Sequence, residues 1–457
     1  MKETDTQSWP SGNLYKCADM KDPVAVNDIE LKDDNPENRL HELRTKIEPW
    51  LTALFQSEHL SLLTGAGLSS AVHHLAMGSC GAGMDGMNLS VLKSQISQKA
   101  KESAVKSGRG ETNIEDQIRI INELIKGLEI LVTDVGEENE LCFYQIEELK
   151  SKLDTLKEEL NSGINEFAKV VLSSESNIIQ SKELDASEYL MSFLLSFASR
   201  NATRERLNLF TTNYDRVIEF GAELAGLHLI DRFVGTVSPI FRSSRLNIDM
   251  HYNPPGVRGE PRYLEGVVNF TKLHGSLDWI EEDGVVRRFA LPYGADDIKL
   301  YSKDKGSLMI YPNSSKDRET AEYPYVELFR DMASAVIRPN STVVTYGYSF
   351  GDDHINRVLS DMLTIPSTHL VIIAFNDKGE RIKRFYERVR RATQITLLIG
   401  NHFGNLPDLV DWYLPKPAID KTTYRMIDLL KARGIASPER KPDNQEDKTK
   451  QKPEGQE

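Results

Sequence analysis

The sequence predicts an α/β fold: a doubly wound, mostly parallel sheet interrupted by a large helical insertion. Three observations predict it. Short apolar runs alternate with amphipathic helical patterns through most of the chain, the rhythm of a parallel sheet covered on both faces. Several of those runs stop at polar, glycine-bearing turns. From residue 88 to about 200 the rhythm gives way to apolar residues spaced at three and four, which predicts long helices.

Taken in order, residues 1–38 are polar and read as a flexible or partner-ordered extension. HELRTKIEPWLTALF predicts a first helix with Leu43, Ile47, Leu51, Leu54 and Phe55 on one face. Leu60, Leu62 and Leu63 then form a buried strand that stops at Gly65 and enters TGAGLSS, with a helix start at the serines. In the insertion, Ile114, Ile118, Ile121, Leu124, Leu128 and Leu131 form one helical stripe. Ile146, Leu149, Leu153, Leu156, Leu160, Ile164, Phe167 and Val171 form another, so a helical hairpin is expected. It either packs on the core domain or offers a surface for self-assembly, and the pattern leaves both open.

The strand–turn–helix rhythm returns in RLNLFTTNYDRVIEFGAELAG, STVVTYGYSFGDDHINRVLSDML and HLVIIAFNDKGERIKRFYERV. VVNFTKLHGSLDWI supplies another strand and turn, and QITLLIGNHF a last strand. DLVDWYLP and DKTTYRMIDLLKARGIA predict a helical finish. Residues 437–457, rich in Lys, Glu, Gln and Pro, read as a disordered charged tail. The organisation expected is therefore one domain over residues 39–436 with a helical insertion at about 88–200.

A chain of 457 residues can bury a large core, and 39% hydrophobic with 27% charged residues is the balance of a globular protein in water. The net charge of −13 disfavours direct nucleic-acid binding, which wants clustered Lys and Arg. MKETDTQSWPSGN has no apolar run behind a basic start, and no stretch approaches the ~20 apolar residues of a membrane span. A cytoplasmic location without membrane contact is expected. Cys17, Cys80 and Cys142 lie far apart with no C-x-x-C pair, so neither a disulfide framework nor a zinc site is expected.

In an open parallel sheet, ligands bind beyond the carboxyl ends of the strands. TGAGLSS, TTNYD, LHGS, GYSFGDD and AFND all fall at such ends. In the first, Gly65, Ala66, Gly67 and Ser69 let backbone N–H groups and a helix start approach a phosphate. The full G-x-G-x-x-G spacing and a P-loop lysine are absent, and a tight structural turn also needs glycine. Asn213 offers donor and acceptor to ribose hydroxyls or a water. Asp215 either takes a hydroxyl or caps the helix that begins RVIEF. His274 is a general base or a structural hydrogen-bonder. Gly347, Ser349 and Phe350, followed by Asp352 and Asp353, form a second phosphate or adenosine contact or else an N-cap. Asn376 either holds an adenosine ribose or sits in a left-handed turn.

In order, GAGLS, TNYD, KLHGS, GYSFGDDHIN and AFN resemble the sirtuin-like superfamily, and within it the bacterial branch of NAD⁺-consuming anti-phage defence proteins. The resemblance spans roughly residues 60–400. It implies a Rossmann-like sirtuin core that takes NAD⁺ as substrate, with Asn213 and His274 catalytic. It also implies that Gly65, Ala66, Gly67 and Ser69 meet the pyrophosphate and Asp215 lies near the nicotinamide ribose. Gly347, Ser349 and Phe350 would face the far ribose, and Asn376 the adenosine. Asn113 and Glu115, in TNIEDQ, resemble a further motif of that branch.

Two departures from the deacylases stand out. AVHHLAMGSCGAGM replaces their Gly-Ile-Pro-Asp-Phe-Arg clamp, and their four-cysteine zinc module is missing. Both argue against protein deacylation. What the resemblance then implies is an NAD⁺ glycohydrolase that releases nicotinamide and ADP-ribose and defends against phage by depleting NAD⁺. A non-catalytic NAD⁺- or ADP-ribose-binding regulatory subunit and an ADP-ribosyltransferase are the alternatives. The branch also implies a homo-oligomer. A HerA-like hexameric ATPase is the partner expected, because no Argonaute-associated or large C-terminal sensor domain is seen in the chain.

Overall fold

The computed structural model describes residues 12–17, 19–26, 36–79, 81, 86–106, 112–133, 143–181, 185–200, 204–243, 248–253, 255, 262–296, 307–310, 323–416 and 429. The charged tail expected over 437–457 and most of the expected helical finish lie outside them. By its internal contacts the chain divides into one unit over Met1–Pro415 and another over Lys416–Glu457.

Strands β1 (Asn13–Lys16) and β2 (Val24–Val26) precede helix α1 (Pro36–Phe55). β3 (His59–Thr64) leads into α2 (Ala66–Met77), and the insertion follows as α3 (Lys93–Lys106), α4 (Ile114–Leu131), α5 (Phe143–Gln180) and α6 (Asp185–Ala198). Then come β4 (Leu207–Thr211), α7 (Val217–Leu224), β5 (His228–Ile230), β6 (Phe233–Val234), β7 (Ile240–Phe241), β8 (His251–Tyr252) and β9 (Arg262–Tyr263). β10 (Val267–Lys272), β11 (Gly275–Glu282), β12 (Val285–Arg288) and β13 (Ser307–Ile310) precede α8 (Tyr325–Val336). β14 (Ser341–Tyr346), α9 (Asp353–Met362), β15 (His369–Ala374), α10 (Arg381–Val389) and β16 (Ile395–Ile399) complete the α/β alternation. Among the described residues, no helix is long and apolar enough to cross a membrane.

Nine strands form one sheet in the order β2-β1-β16-β15-β14-β3-β4-β10-β5. Every pairing from β16 to β5 is parallel. The doubly wound, mostly parallel sheet expected from the sequence is thus present. β3, β14, β15 and β16 are buried along their whole length, as expected of central strands covered on both faces. The period of two then divides their side chains between two cores. Leu62, Val344, Val371, Ile373 and Leu398 face a core shared with α1, α2, α6 and α7. Leu63, Val343, Leu370, Ile372 and Leu397 face one shared with α8, α9 and α10.

The expected helical hairpin is present as α4 against α5, the latter 38 residues long. Its apolar seam closes a third core that includes Ile118, Ile121, Leu156 and Leu172, and with them Tyr214 and Leu277 of the sheet domain. The insertion therefore packs on the domain that carries the strand ends. Each such fully buried Leu or Ile contributes roughly 1.5–3 kcal/mol over an exposed one.

The N-terminal segment departs from the expectation of a flexible or partner-ordered extension. β1 pairs antiparallel with β16, and β2 with β1. Leu14 and Tyr15 are buried on opposite faces, and the Lys16 ammonium donates to the carbonyls of Ala392 at 2.6 Å and Ile395 at 3.3 Å. A strand of four residues among polar neighbours shows too little alternation to be read locally. A second sheet, ordered β13-β11-β12-β7-β6, is antiparallel. SLDWI belongs to it, so His274 sits at the joint where the chain leaves one sheet for the other.

Candidate active site

The carboxyl ends of β14, β3, β4 and β10 lie side by side, and their turns continue the ladder. Gly65 N–H donates to Tyr346 O at 3.1 Å, Thr212 N–H to Thr64 O at 3.1 Å, and Leu273 N–H to Thr211 O at 2.8 Å. Above this row opens a cavity of about 560 Å³, within the usual range for a small-molecule site.

The glycines of the first turn face another glycine rather than open space. A Cβ on Gly67 would lie 2.5 Å from Gly347 Cα, and one on Gly65 2.6 Å from Gly347 O. Gly347 itself has φ +61°, a left-handed conformation that favours glycine. The GAGLS and GYSFGDD turns are therefore in backbone contact, with Gly67 N–H donating to Gly347 O at 3.1 Å. α2 begins at Ala66 with no side-chain cap, and Gly65 and Ala66 line the cavity. That helix start presents amides and a positive dipole end, the physical requirement for holding a phosphate.

The turn after β4 supplies a second group. Asn213 Nδ2 donates to Gly65 O at 3.0 Å and to Ser69 Oγ at 2.8 Å. The Ser69 hydroxyl donates in turn to Asp215 Oδ2 at 2.7 Å, while Asp215 Oδ1 accepts Val217 N–H at 3.1 Å. Asp215 thus caps the first turn of α7, one of the two roles left open by the sequence, while its other oxygen accepts from the Ser69 hydroxyl. With its nitrogen committed, Asn213 can offer a ligand its oxygen.

His274 is buried and lines the same cavity. Its Nε2 lies 2.8 Å from Asp352 Oδ2. Asp352 also caps α9, its Oδ1 accepting His354 N–H at 3.0 Å and Ile355 N–H at 3.3 Å. The Tyr348 hydroxyl lies 3.2 Å from both Asp352 O and Asn356 Oδ1, and braces that turn.

The insertion forms the facing wall. α4 opens with a capping box in which Asp116 N–H donates to Asn113 Oδ1 at 3.0 Å and Asn113 N–H to Asp116 Oδ2 at 3.3 Å. This brings Asn113 and Glu115 to the cavity. The Tyr214 hydroxyl donates to Glu115 Oε1 at 3.1 Å, and its ring meets Phe167 edge-on at 5.9 Å. Complete burial, with the Glu115 charge beside it, holds the Tyr214 phenol well above its ordinary range. Phe167, Val171, Ser174 and Ile178 of α5 complete this wall.

Beside it runs a buried ion pair. Glu175 Oε1 accepts Arg216 N–H at 2.8 Å and Arg216 Nε at 3.2 Å. Glu175 Oε2 accepts Arg216 Nη2 at 2.5 Å and Gly294 N–H at 3.3 Å. Burial pushes the Glu175 carboxyl up, and Arg216 only partly opposes it. Below, Lys272 donates to Asp215 O and, at 2.9 Å, to Glu219.

The cavity therefore gathers Gly65, Ala66, Ser69, Asn213, Asp215, His274, Gly347 and Ser349, together with Asn113 and Glu115. Three expected contacts do not line it. Gly67 is occupied against Gly347. Phe350 is turned into the core, its ring 4.9 Å from those of Tyr348 and Phe385. Asn376 lies exposed beyond the end of β15, and Lys378 and Arg381 line the cavity on that side instead. Tyr214, Glu175 and the Asp352–His274 contact were missed in the sequence. The basic run in DKGERIKR was a legible hint of cations near this strand end.

The arrangement joins a phosphate-competent helix start, an amide and an imidazole backed by a carboxylate within one partly closed cleft. A family model described as a SIR2-like domain matches residues 207–396, somewhat less than half of the chain. The matched segment holds TNYD, KLHGS, GYSFGDDHIN and AFN, while GAGLS precedes it. The match supports the sirtuin-like superfamily, whose domains are in general NAD-dependent enzymes. No curated protein matches the chain.

Proposed function

We propose that a SIR2-like chain with this cleft hydrolyses NAD⁺ at the nicotinamide–ribose bond. The observation that carries the reading is that Asn213, His274 and the GAGLS turn, far apart in sequence, line one cavity. Nicotinamide is already a good leaving group because its ring nitrogen is cationic. The protein has only to hold the pyrophosphate, limit bulk water and stabilise an oxocarbenium-like ribose. The start of α2 would hold the pyrophosphate, and Asn213 would position a water or a ribose hydroxyl. His274 would take its proton as the new C–O bond forms and the C–N bond breaks. Nicotinamide, ADP-ribose and one proton are the products. Water is the acceptor in this reading because the sequence lacks the deacylase clamp and the insertion walls the cleft.

The resemblance extends the proposal to a cytoplasmic, homo-oligomeric enzyme that depletes NAD⁺ in anti-phage defence, working with a HerA-like ATPase. Incubation of the full chain with NAD⁺ and that partner, with separation of the products, tests the chemistry. Free nicotinamide and ADP-ribose in equal amounts are expected. His274→Ala and Asn213→Ala, shown folded by circular dichroism, are expected to release none. ADP-ribosylated protein would indicate a transferase, and binding without turnover a regulatory subunit. Normal turnover by either alanine variant would overturn the assignment of its residue. Light scattering after size exclusion tests assembly, and a monomer at micromolar concentration would overturn it.

A further inference from the structure

We infer that Asp352 is a positioning residue for the proposed reaction, fixing which nitrogen of His274 is free to accept a proton. The inference rests on the hydrolase reading for its catalytic meaning but on geometry for its substance. An N-cap needs one side-chain oxygen. Asp352 Oδ1 alone meets that need, accepting both His354 N–H and Ile355 N–H. Serine, threonine or asparagine could cap α9 equally well, so capping does not explain a carboxylate here. The second oxygen does. Asp352 is 7% exposed, so Oδ2 is largely withdrawn from water, and its partner is His274 Nε2 at 2.8 Å.

A carboxylate oxygen can only accept. Neutral His274 must therefore carry its proton on Nε2, which leaves Nδ1 bare. A histidine left to itself would exchange between the two forms, and the carboxylate selects the one whose base is Nδ1. Asp352 is also fixed at three points, by the two amides of α9 and by the Tyr348 hydroxyl on its own carbonyl. The ring is thus held by a group that cannot follow it. When His274 takes a proton, the same carboxylate lies against the imidazolium and stabilises it. Asp352 touches no reacting atom in this account. It acts through His274, from 78 residues away in sequence.

Asp352→Asn separates the two jobs. The amide oxygen can still cap α9. The amide nitrogen, placed where Oδ2 was, donates to Nε2 and drives the proton to Nδ1. In a serine-protease triad the equivalent inversion lowers turnover by about 10⁴-fold with the geometry intact.

The test uses the full chain labelled with ¹⁵N-histidine, at a pH above the ordinary histidine range. The His274 signals are identified by their loss in His274→Gln. Wild type is expected to show Nε2 protonated and Nδ1 bare, and Asp352→Asn the reverse. In nicotinamide release, Asp352→Asn is expected to lose turnover by roughly 10³- to 10⁴-fold, with KM changed only a few-fold. Wild-type His274 protonated on Nδ1 would overturn the inference whatever the activity. So would Asp352→Asn that turns over within about tenfold of wild type, against the loss such an inversion produces. Should Asp352→Asn fail to fold, the wild-type tautomer still decides. A wild type that yields no nicotinamide beside its partner would overturn the hydrolase reading, and the tautomer would still judge Asp352 separately.

Discussion

Replacing Glu175 by methionine should unfold the chain more readily and disturb the cleft at once. Glu175 is fully buried and accepts four N–H bonds: three from Arg216, whose backbone amide is one of them, and one from Gly294. Methionine matches its length but accepts nothing, so the Arg216 guanidinium loses its buried counter-charge. Removing one partner of a buried pair costs about 3–5 kcal/mol. With an unfolding entropy of about 2.1 cal/mol/K per residue over the roughly 340 described residues, that corresponds to a fall of about 4–7 °C in Tm. The double variant Glu175→Met with Arg216→Met should recover most of this loss. Burial raises the Glu175 carboxyl, the direction expected where loss of water opposes the charge. Buried pairs of that kind are often replaced by apolar side chains at no net cost. The double variant should nevertheless lose nicotinamide release, because the Asp215–Arg216 turn would lose its anchor to α5. Scanning calorimetry and a product assay on the three proteins decide it. A single variant that melts within a degree of wild type, or a double variant less stable than the single one, would refute the reasoning.

Gly347→Ala places a Cβ 2.6 Å from Gly67 Cα at φ +61°, and should cost upwards of about 3 kcal/mol by urea titration; an unchanged midpoint would contradict the back-to-back packing. Tyr214→Phe removes one hydrogen bond to Glu115 while keeping the ring against Phe167, and a loss of about 1–3 kcal/mol in thermal melts is expected; no change would mean the bond is not formed in solution. His369, buried at the start of β15, has its pKa lowered from 6.5 to about 4 by burial and secondarily by Lys16. Between those values the unfolded chain binds the proton and the folded one does not. Stability is therefore full above about pH 6.5 and falls as pH drops toward 4, by about 3 kcal/mol in all. His369→Gln should flatten the acid limb of stability against pH by that amount, and parallel curves for the two proteins would exclude the assignment.

How much was legible follows from where the signal lies. The central strands announced themselves because burial on both faces leaves HLSLLT, STVVTY and HLVIIA without a charged Asp, Glu, Lys or Arg. The turns at their ends were legible because they break apolar runs abruptly, and eight of the eleven residues singled out for catalysis or binding line the cavity. What failed was local chemistry settled by distant neighbours. Gly67 looked ready for a phosphate, but its space belongs to a turn about 280 residues later, whose Gly347 carbonyl takes its amide. Phe350 sat in a small-residue turn and was expected to face the far ribose. Its positive φ turns the ring inward onto Phe385 instead. Capping was one of two readings left open for the turn that holds Asp352, and the second oxygen of that residue met a histidine that no spacing rule could have paired with it. β1 escaped notice because a four-residue strand has no length in which to show a period.

The contact of Gly65 and Gly67 with Gly347 has a bearing on how such a cleft can open. Two loops fused along their backbones, each continuing a central strand, cannot part without tearing the ladder between β3 and β14. The floor of the cleft is in effect a single plate. Any freedom to open must then belong to the opposite side, where α4 and α5 pack on the sheet domain through an apolar seam and the Glu175–Arg216 pair. Any widening of the cleft, on these mechanics, is a matter of shifting the ceiling.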